Sequence, residues 1–329
     1  MSYRLDLLDY RLLDEFQRSL PLEQRPFAII GQSLSIAETE VINRFAALEA
    51  QGYISRIGAT IRPNTAGAST LAAMAVPQGD VEKVAAVVSA EAGVNHSYLR
   101  EDEWNLWFVA TAPNPDELQA MLDRLSARTG HRILDLRLRQ PFNIDLGFSL
   151  TGRNIPRPDC LLPRPEAIRS EHRPLLQLVA SGMPLVARPY AAMAAELSCH
   201  EEEVIGHLGD LIAAGIITRL GVIVRHRAIG WTANAMVVWN MPEQQIAQAG
   251  PLAARFPGVT LCYQRRAIPG VWPYTLYNMV HARSRDEALA VVQGLQTIPE
   301  FIGIAHRVLF STRCFKQTGA LLHRREAAA

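Results

Sequence analysis

Cysteine is scarce. The chain holds only Cys160, Cys199, Cys262 and Cys314, and no two are close in sequence. That spacing excludes a CxxC redox motif, a zinc knuckle and a haem-attachment motif. Long apolar runs are missing too, since no stretch approaches the roughly 18 residues of a membrane span. The opening segment MSYRLDLLDYRLLDEF is charged throughout and does not read as a signal peptide. These absences lead us to expect a cytoplasmic protein, with its thiols kept reduced and no membrane contact. Charge of one sign is lacking as well: 33 basic against 32 acidic residues leave a net charge of +1. A dedicated nucleic-acid binder usually carries a strongly basic domain. Lysine is almost gone, with Lys83 and Lys316 the only two, so the positive charge is arginine. Guanidinium forks suit carboxylates, although genomic base composition gives the same bias. What is plentiful is apolar: 49% of 329 residues are hydrophobic and 20% charged, enough for about two globular domains.

The chain is an internal duplication. A shift of 163 residues lays Arg25–Gly67 on Arg188–Gly230 without a gap, and seventeen of the 43 pairs are identical. Further on, VNHSYLR (94–100) matches VTLCYQR (259–265), and LWFVATA (106–112) matches LYNMVHA (276–282). The offset grows from 165 to 170, so the second half carries a longer hairpin, AIPGVWPYT. Between the halves, Pro156, Pro158, Pro163 and Pro165 favour extended backbone and mark a linker.

Each half reads alike. Leu12, Leu13 and Phe16 suggest a first helix, and Pro26 opens a second. Ser35-Ile-Ala-Glu38 and Ser198-Cys-His-Glu201 read as capping boxes. Helical stripes follow (Val41, Ile42, Phe45, Leu48; Val204, Ile205, Leu208, Leu211), with Gly52 and Gly215 as C-terminal stops. A short hairpin is expected over 53–62 and 216–225, making a winged helix-turn-helix. The remainder of each half alternates as βαββαβ, the ferredoxin-like order. The expected class is α+β, a tandem duplication with winged helix-turn-helix at 1–62 and 171–226, ferredoxin-like domains at 63–150 and 227–329, and a proline-rich linker at 151–170.

This order resembles the Lrp/AsnC family of regulators, which implies DNA binding, and the charge pattern argues against it. Between Pro189 and Thr218 there is no lysine or arginine, while Glu196, Glu201, Glu202, Glu203 and Asp210 lie there. Between Pro26 and Ser55 the one basic residue is Arg44. Affinity for DNA rests on neutralised phosphates, so we expect no DNA partner.

Strand residues two apart share a face. His96, Tyr98 and Arg100 therefore project together, as do Tyr263 and Arg265. On the next strand Tyr277, Met279 and His281 share one side. Such groups suggest a ligand cavity between the halves; a polar interface between sheets is the alternative. The second half gathers Arg225-His226-Arg227, Arg265-Arg266, Trp272, His281, His306 and Arg313. Arginines clamp carboxylates bidentately and aromatic rings cover planar ligands.

The phrases NHSYLRED, WNLWFVATAP and FNIDLGF resemble the NirD-type half of the sirohaem decarboxylase family. RHRAIGWTANAMVVWNMP, TLCYQRR, WPYTLYNMVHARSR and AHRVLFSTRCFKQTGA resemble its NirL-type half. Asn143 departs from the histidine expected in many NirD-type sequences. The resemblance implies removal of two acetate carboxyl groups from sirohaem to give 12,18-didecarboxysirohaem, on the way to haem d1. The iron is the substrate's, and no other cofactor or protein-bound metal is implied. A related NirG/NirH-type partner is compatible with it, and the chain would work as a monomeric pseudo-dimer or a homodimer. The proton donor is expected among His281, His226 and His96. Arg225, Tyr263, Arg265, Arg266, Trp272, His306 and Arg313 are the candidate substrate contacts. The rival functions are a ligand-sensing regulator and a tetrapyrrole carrier without chemistry.

Overall fold

In the computed structural model the described residues are 4–144, 147, 150 and 162–323. The first half runs α1 (Leu7–Glu15), α2 (Pro26–Leu34), α3 (Glu38–Ala50), β1 (Ile54–Ile61), β2 (Ala68–Met74), α4 (Val81–Ala90), β3 (Val94–Arg100), β4 (Leu106–Ala112), α5 (Pro115–Thr129) and β5 (Ile133–Asn143). The second runs α6 (His172–Ser181), α7 (Pro189–Leu197), α8 (Glu201–Ala213), β6 (Ile217–Val224), β7 (Ala233–Trp239), α9 (Glu243–Arg255), β8 (Val259–Arg265), β9 (Leu276–Ala282), α10 (Arg285–Gln296) and β10 (His306–Gln317). The expected linker and the motif FNIDLGF fall largely outside the described residues. The chain divides into two compact units, and each draws on both halves. One comprises Met1–Ala66, Gly147–Ile229 and Leu322–Ala329; the other comprises Gly67–Leu146 and Gly230–Leu321.

The first unit holds both helix-turn-helix segments. Phe27, Ile30, Val41, Phe45 and Leu48 are fully buried, so the periodic stripes of α2 and α3 meet in a common core. The expected capping boxes do not form. Ser35 and Ser198 are left-handed, with φ of 57° and 56°, and they end α2 and α7 instead of starting the next helix. Ile36 donates to Gly31 O at 2.9 Å and Cys199 to Ala194 O at 3.0 Å, the six-residue closure that follows a left-handed cap. Gly52 and Gly215 do have the positive φ of C-terminal caps.

The expected wing hairpins are absent as well. Each segment is a single strand, and β1 pairs antiparallel with β6, Gly58 facing Gly221. The glycines are required by close approach. A Cβ on Gly221 would stand 2.4 Å from Phe16 O, and one on Gly58 2.4 Å from Val179 O. Val222 N–H donates to Phe16 O at 2.9 Å, and Met183 N–H to Ile57 O at 2.7 Å. The chain leaving each half's first helix is thus bonded to the other half's strand.

In the second unit eight strands close into a barrel in the order β10-β3-β4-β2-β5-β8-β9-β7, with β7 returning to β10. Each ferredoxin-like half supplies four neighbouring strands. β5 joins the first half to β8, and β10 joins the second half to β3. Alternation puts one face of every strand outward onto the helices. Ala72, Phe108 and Leu118 belong to one such core, and Val237, Leu276 and Leu295 to the other. The inward faces share a third core, which includes Trp107, Leu134, Leu136, Met236, Tyr263, Trp272 and Tyr277. The centre of the interior is therefore packed, where a cavity between the halves was expected. The longer second-half hairpin fills it. Trp272 is buried, its ring centroid 5.4 Å from that of Trp107, and its Nε1–H donates to Tyr277 OH at 2.8 Å.

Candidate functional site

Polar side chains on the inward strand faces gather toward the end of the barrel where β9 finishes. Tyr277 and Met279 belong to the inner core, and alternation places His281 on the same face. Asn234 follows the same rule on β7, sharing its face with Met236 and Val238 and pairing directly with His281 in the register. Arg100 arrives from the first half. On β3 a bulge between Val94 and His96 shifts the alternation, so Leu99 joins the helix-side core while His96 stacks with Tyr98 at 6.3 Å and Arg100 lies 5.7 Å over the Tyr98 ring. The inferred grouping of His96, Tyr98 and Arg100 has this geometry.

The hydrogen bonds run in one direction. Arg100 is buried; its Nη1 donates to Leu309 O at 2.9 Å and its Nη2 to Asn234 Oδ1 at 3.2 Å. An arginine can only donate, so the oxygen of Asn234 faces it and the amide nitrogen faces His281. Asn234 Nδ2 lies 2.7 Å from His281 Nε2. The other ring nitrogen, Nδ1, is 2.7 Å from Thr260 Oγ1, and that hydroxyl donates to Met279 O at 3.0 Å. The arrangement holds a neutral imidazole with its hydrogen on Nδ1. Burial pushes the His281 pKa down to about 4, and the positive charge of Arg100 adds to the effect.

The duplication has no second such histidine. Ser69 and Thr111 occupy the register pair equivalent to Asn234 and His281, and Asn95 stands where Thr260 does. Only the arginine is retained: Arg265 Nη1 donates to Leu136 O at 2.8 Å, as Arg100 does to Leu309 O. There the residues after β10 are bonded across the strands, with Leu321 N–H on Thr111 Oγ1 at 3.0 Å and Thr318 N–H on Asn95 O at 2.8 Å.

The other candidates separate. Tyr263 lies on the inner face, stacked on Tyr277 at 5.9 Å, with the Arg265 guanidinium 4.5 Å over its ring. Arg266 donates to Asp135 O at 2.9 Å on the surface. Three expected contacts are engaged elsewhere. Trp272 is spent on packing the interior. His306 stacks on Trp239 at 4.6 Å, and Trp239 belongs to the helix-side core, so this histidine is on the opposite sheet face from His281. Arg313 is exposed and paired with Glu82 on α4, also on the outer side. Arg225 and His226 belong to the first unit, where Arg225 N–H donates to Tyr53 O at 2.8 Å. Sequence reading passed over Asn234 and Thr260; the one signal for Asn234 is an amide in the otherwise apolar strand ANAMVVW. It also left out Arg283, which is exposed two residues beyond His281; its guanidinium lies 5.7 Å over Trp231 and its backbone N–H donates to Glu287 Oε2 at 2.9 Å.

In the first unit the arginines around the helix-turn-helix segments are ion-paired. Arg25 binds Glu38, Arg188 binds Glu201, and Arg44 reaches Asp6 at 2.8 Å, Asp9 at 2.9 Å and Glu40 at 2.6 Å. Guanidinium groups held by carboxylates are poorly placed to neutralise a phosphate backbone. No described helix is long and apolar enough to cross a membrane, and no cluster of metal-ligating side chains occurs among the described residues.

A duplicated Lrp/AsnC-like body with acid-neutralised helix-turn-helix segments, bearing an arginine-supported histidine in its barrel, defines a ligand-handling protein built on a regulator's scaffold. The AsnC-like ligand binding domain model matches residues 66–142 and 228–316, and the siroheme decarboxylase NirDL-like HTH domain model matches 9–54 and 172–217. The NirDL subunit of the siroheme decarboxylase of Paracoccus pantotrophus is 54% identical over 97% of this chain and 98% of its own length. A half-length relative, the NirD subunit of Pseudomonas aeruginosa, is 43% identical over 44% of this chain and 97% of its own. A crystal structure of the siroheme decarboxylase NirDL with an iron-uroporphyrin III analogue superposes with a TM-score of 0.65 at 27% identity, covering 93% of this chain and 91% of that one. The chain belongs to the sirohaem decarboxylase family, in its fused NirDL form, and is a carboxy-lyase.

Proposed function

We propose that the chain removes two acetate carboxyl groups from sirohaem, giving 12,18-didecarboxysirohaem for haem d1 synthesis, as a cytoplasmic enzyme acting without DNA. In each turn the bond between the acetate methylene and its carboxyl carbon breaks and carbon dioxide leaves. The electron pair stays on the methylene carbon, conjugated with the macrocycle, and a proton there completes a methyl group. Two turns consume two protons and release two molecules of carbon dioxide, with no net oxidation or reduction. The iron is part of the substrate and no further cofactor enters.

The observation that supports this reading is His281, set on the inner barrel face beside Arg100 and Asn234. His281 delivers the proton. Buried and neutral beside Arg100, it becomes charged when the substrate's carboxylates arrive, because nearby negative charge favours imidazolium. Arg283 is the guanidinium group we assign to carboxylates; Arg265, with Tyr263 beside it toward the other end of the barrel, Arg266 and His96 remain candidate contacts. Both halves of the pseudo-dimer are in one chain, and a related NirG/NirH-type protein is compatible with this reading.

Anaerobic incubation with sirohaem, read by mass spectrometry for loss of two carboxyl groups, tests the reaction. His281→Ala should slow it about 10²–10⁴-fold, the contribution of a positioned acid, while the absorption spectrum still reports bound sirohaem. Unchanged turnover would remove His281 from the chemistry.

A further inference from the structure

Resting on that reading of His281, we propose that Nε2 is its working nitrogen and that Thr260 and the Arg100–Asn234 pair are positioning residues that fix it so. The chain of bonds has only one consistent polarity. Arg100 cannot accept, so Asn234 presents its amide hydrogens to His281 Nε2, which must carry a lone pair. Thr260 has an acceptor of its own in Met279 O at 3.0 Å, so its hydroxyl hydrogen points away from the ring and its oxygen receives Nδ1–H. The two ends of the chain therefore agree on one tautomer. Nδ1 keeps its hydrogen through the cycle, and Nε2 is where a proton is gained and given up. Asn234 donates to that lone pair at 2.7 Å, holding the place that an incoming proton takes. The duplicated positions, with Ser69, Thr111 and Asn95, have no imidazole to hold.

Two readouts test this. In the full chain with ¹⁵N-labelled histidine, the His281 ring nitrogens, assigned by their loss in His281→Gln, should show a hydrogen-bearing Nδ1 and a bare Nε2. Thr260→Val keeps the side-chain shape and loses the oxygen; it should lower kcat about 10- to 100-fold, the usual range for a group that orients a ligating or reacting histidine, with KM little changed and the tautomer preference lost. Thr260→Ser keeps the oxygen and should restore both. A wild-type ring with its hydrogen on Nε2, or a Thr260→Val protein with wild-type kcat, would overturn the proposal, as would a Thr260→Ser protein as impaired as Thr260→Val. If Thr260→Val does not fold, the wild-type spectrum decides. The spectrum does not depend on turnover, so a failure of His281 in catalysis and a failure of the tautomer assignment give different results.

Discussion

His281 sits in an environment that resists its charged form, and this has a consequence for stability. Its ordinary pKa of 6.5 applies to the unfolded chain, whereas the folded value is about 4. Between these values the unfolded state binds a proton that the folded state refuses, so stability falls as pH drops from about 6.5 towards 4 and the effect levels off below. The full interval corresponds to on the order of 3 kcal/mol. Urea unfolding at pH 7 and pH 4.5 should show a smaller acid loss for His281→Gln than for the parent. His281 itself was legible in sequence, because a strand of alternating residues assigns a face without any knowledge of the partner strand. Its neighbours were not. Arg100 and Asn234 lie 134 positions apart, and the pairing is created by β10 standing between their strands. The placing of His306, Arg313 and Trp272 was not legible for a related reason: polar or aromatic character tells that a residue is unusual, and the opposite sheet face or a packed interior accommodates it equally well.

At the level of elements, duplicated glycines mark close contacts. Gly221→Ala on β6 should destabilise the protein by about 1–3 kcal/mol, because Phe16 O and Gln17 O belong to backbone and cannot yield as a side chain could. Gly206→Ala is the opposite case. It lies exposed within α8 with nothing within 4 Å of the added carbon, and should stabilise by about 0.4–1 kcal/mol through the unfolded chain. Chemical denaturation of the two variants measures both signs. Helix and strand positions were readable from periodicity, and VNHSYLR and PDELQAMLDRLSART coincide with β3 and α5. Two local motifs were misread. A serine three residues before a glutamate fits the start of one helix, but the same serine can close the helix before it, and the left-handed backbone at Ser35 and Ser198 takes that course. The expected hairpins failed because a strand pairs with any suitable edge, and duplication supplies a twin.

For the whole molecule, the repeat made the duplicated body readable, while the grouping of like with like across the halves was not. Every strand of the second unit has neighbours on both sides, and two of the seams, β5 with β8 and β10 with β3, lie between the halves. Half a barrel would expose two unpaired edges and the apolar inner face. Arg100 would also be parted from the histidine it supports. A polypeptide divided near residue 155 and expressed as two pieces should therefore co-purify as a one-to-one pair and retain decarboxylation, whereas either piece alone should aggregate and be inactive; size-exclusion chromatography and the mass assay would decide.

The backbone bonds of the first unit carry that argument into folding order. The chain leaving α1 is held by β6, and the chain leaving α6 by β1, so neither segment has its native partner in its own half. On a ribosome the early segment must wait roughly two hundred residues for the strand that captures it. The completed molecule is then an embrace of two siblings, and it assembles only after the younger one has been born.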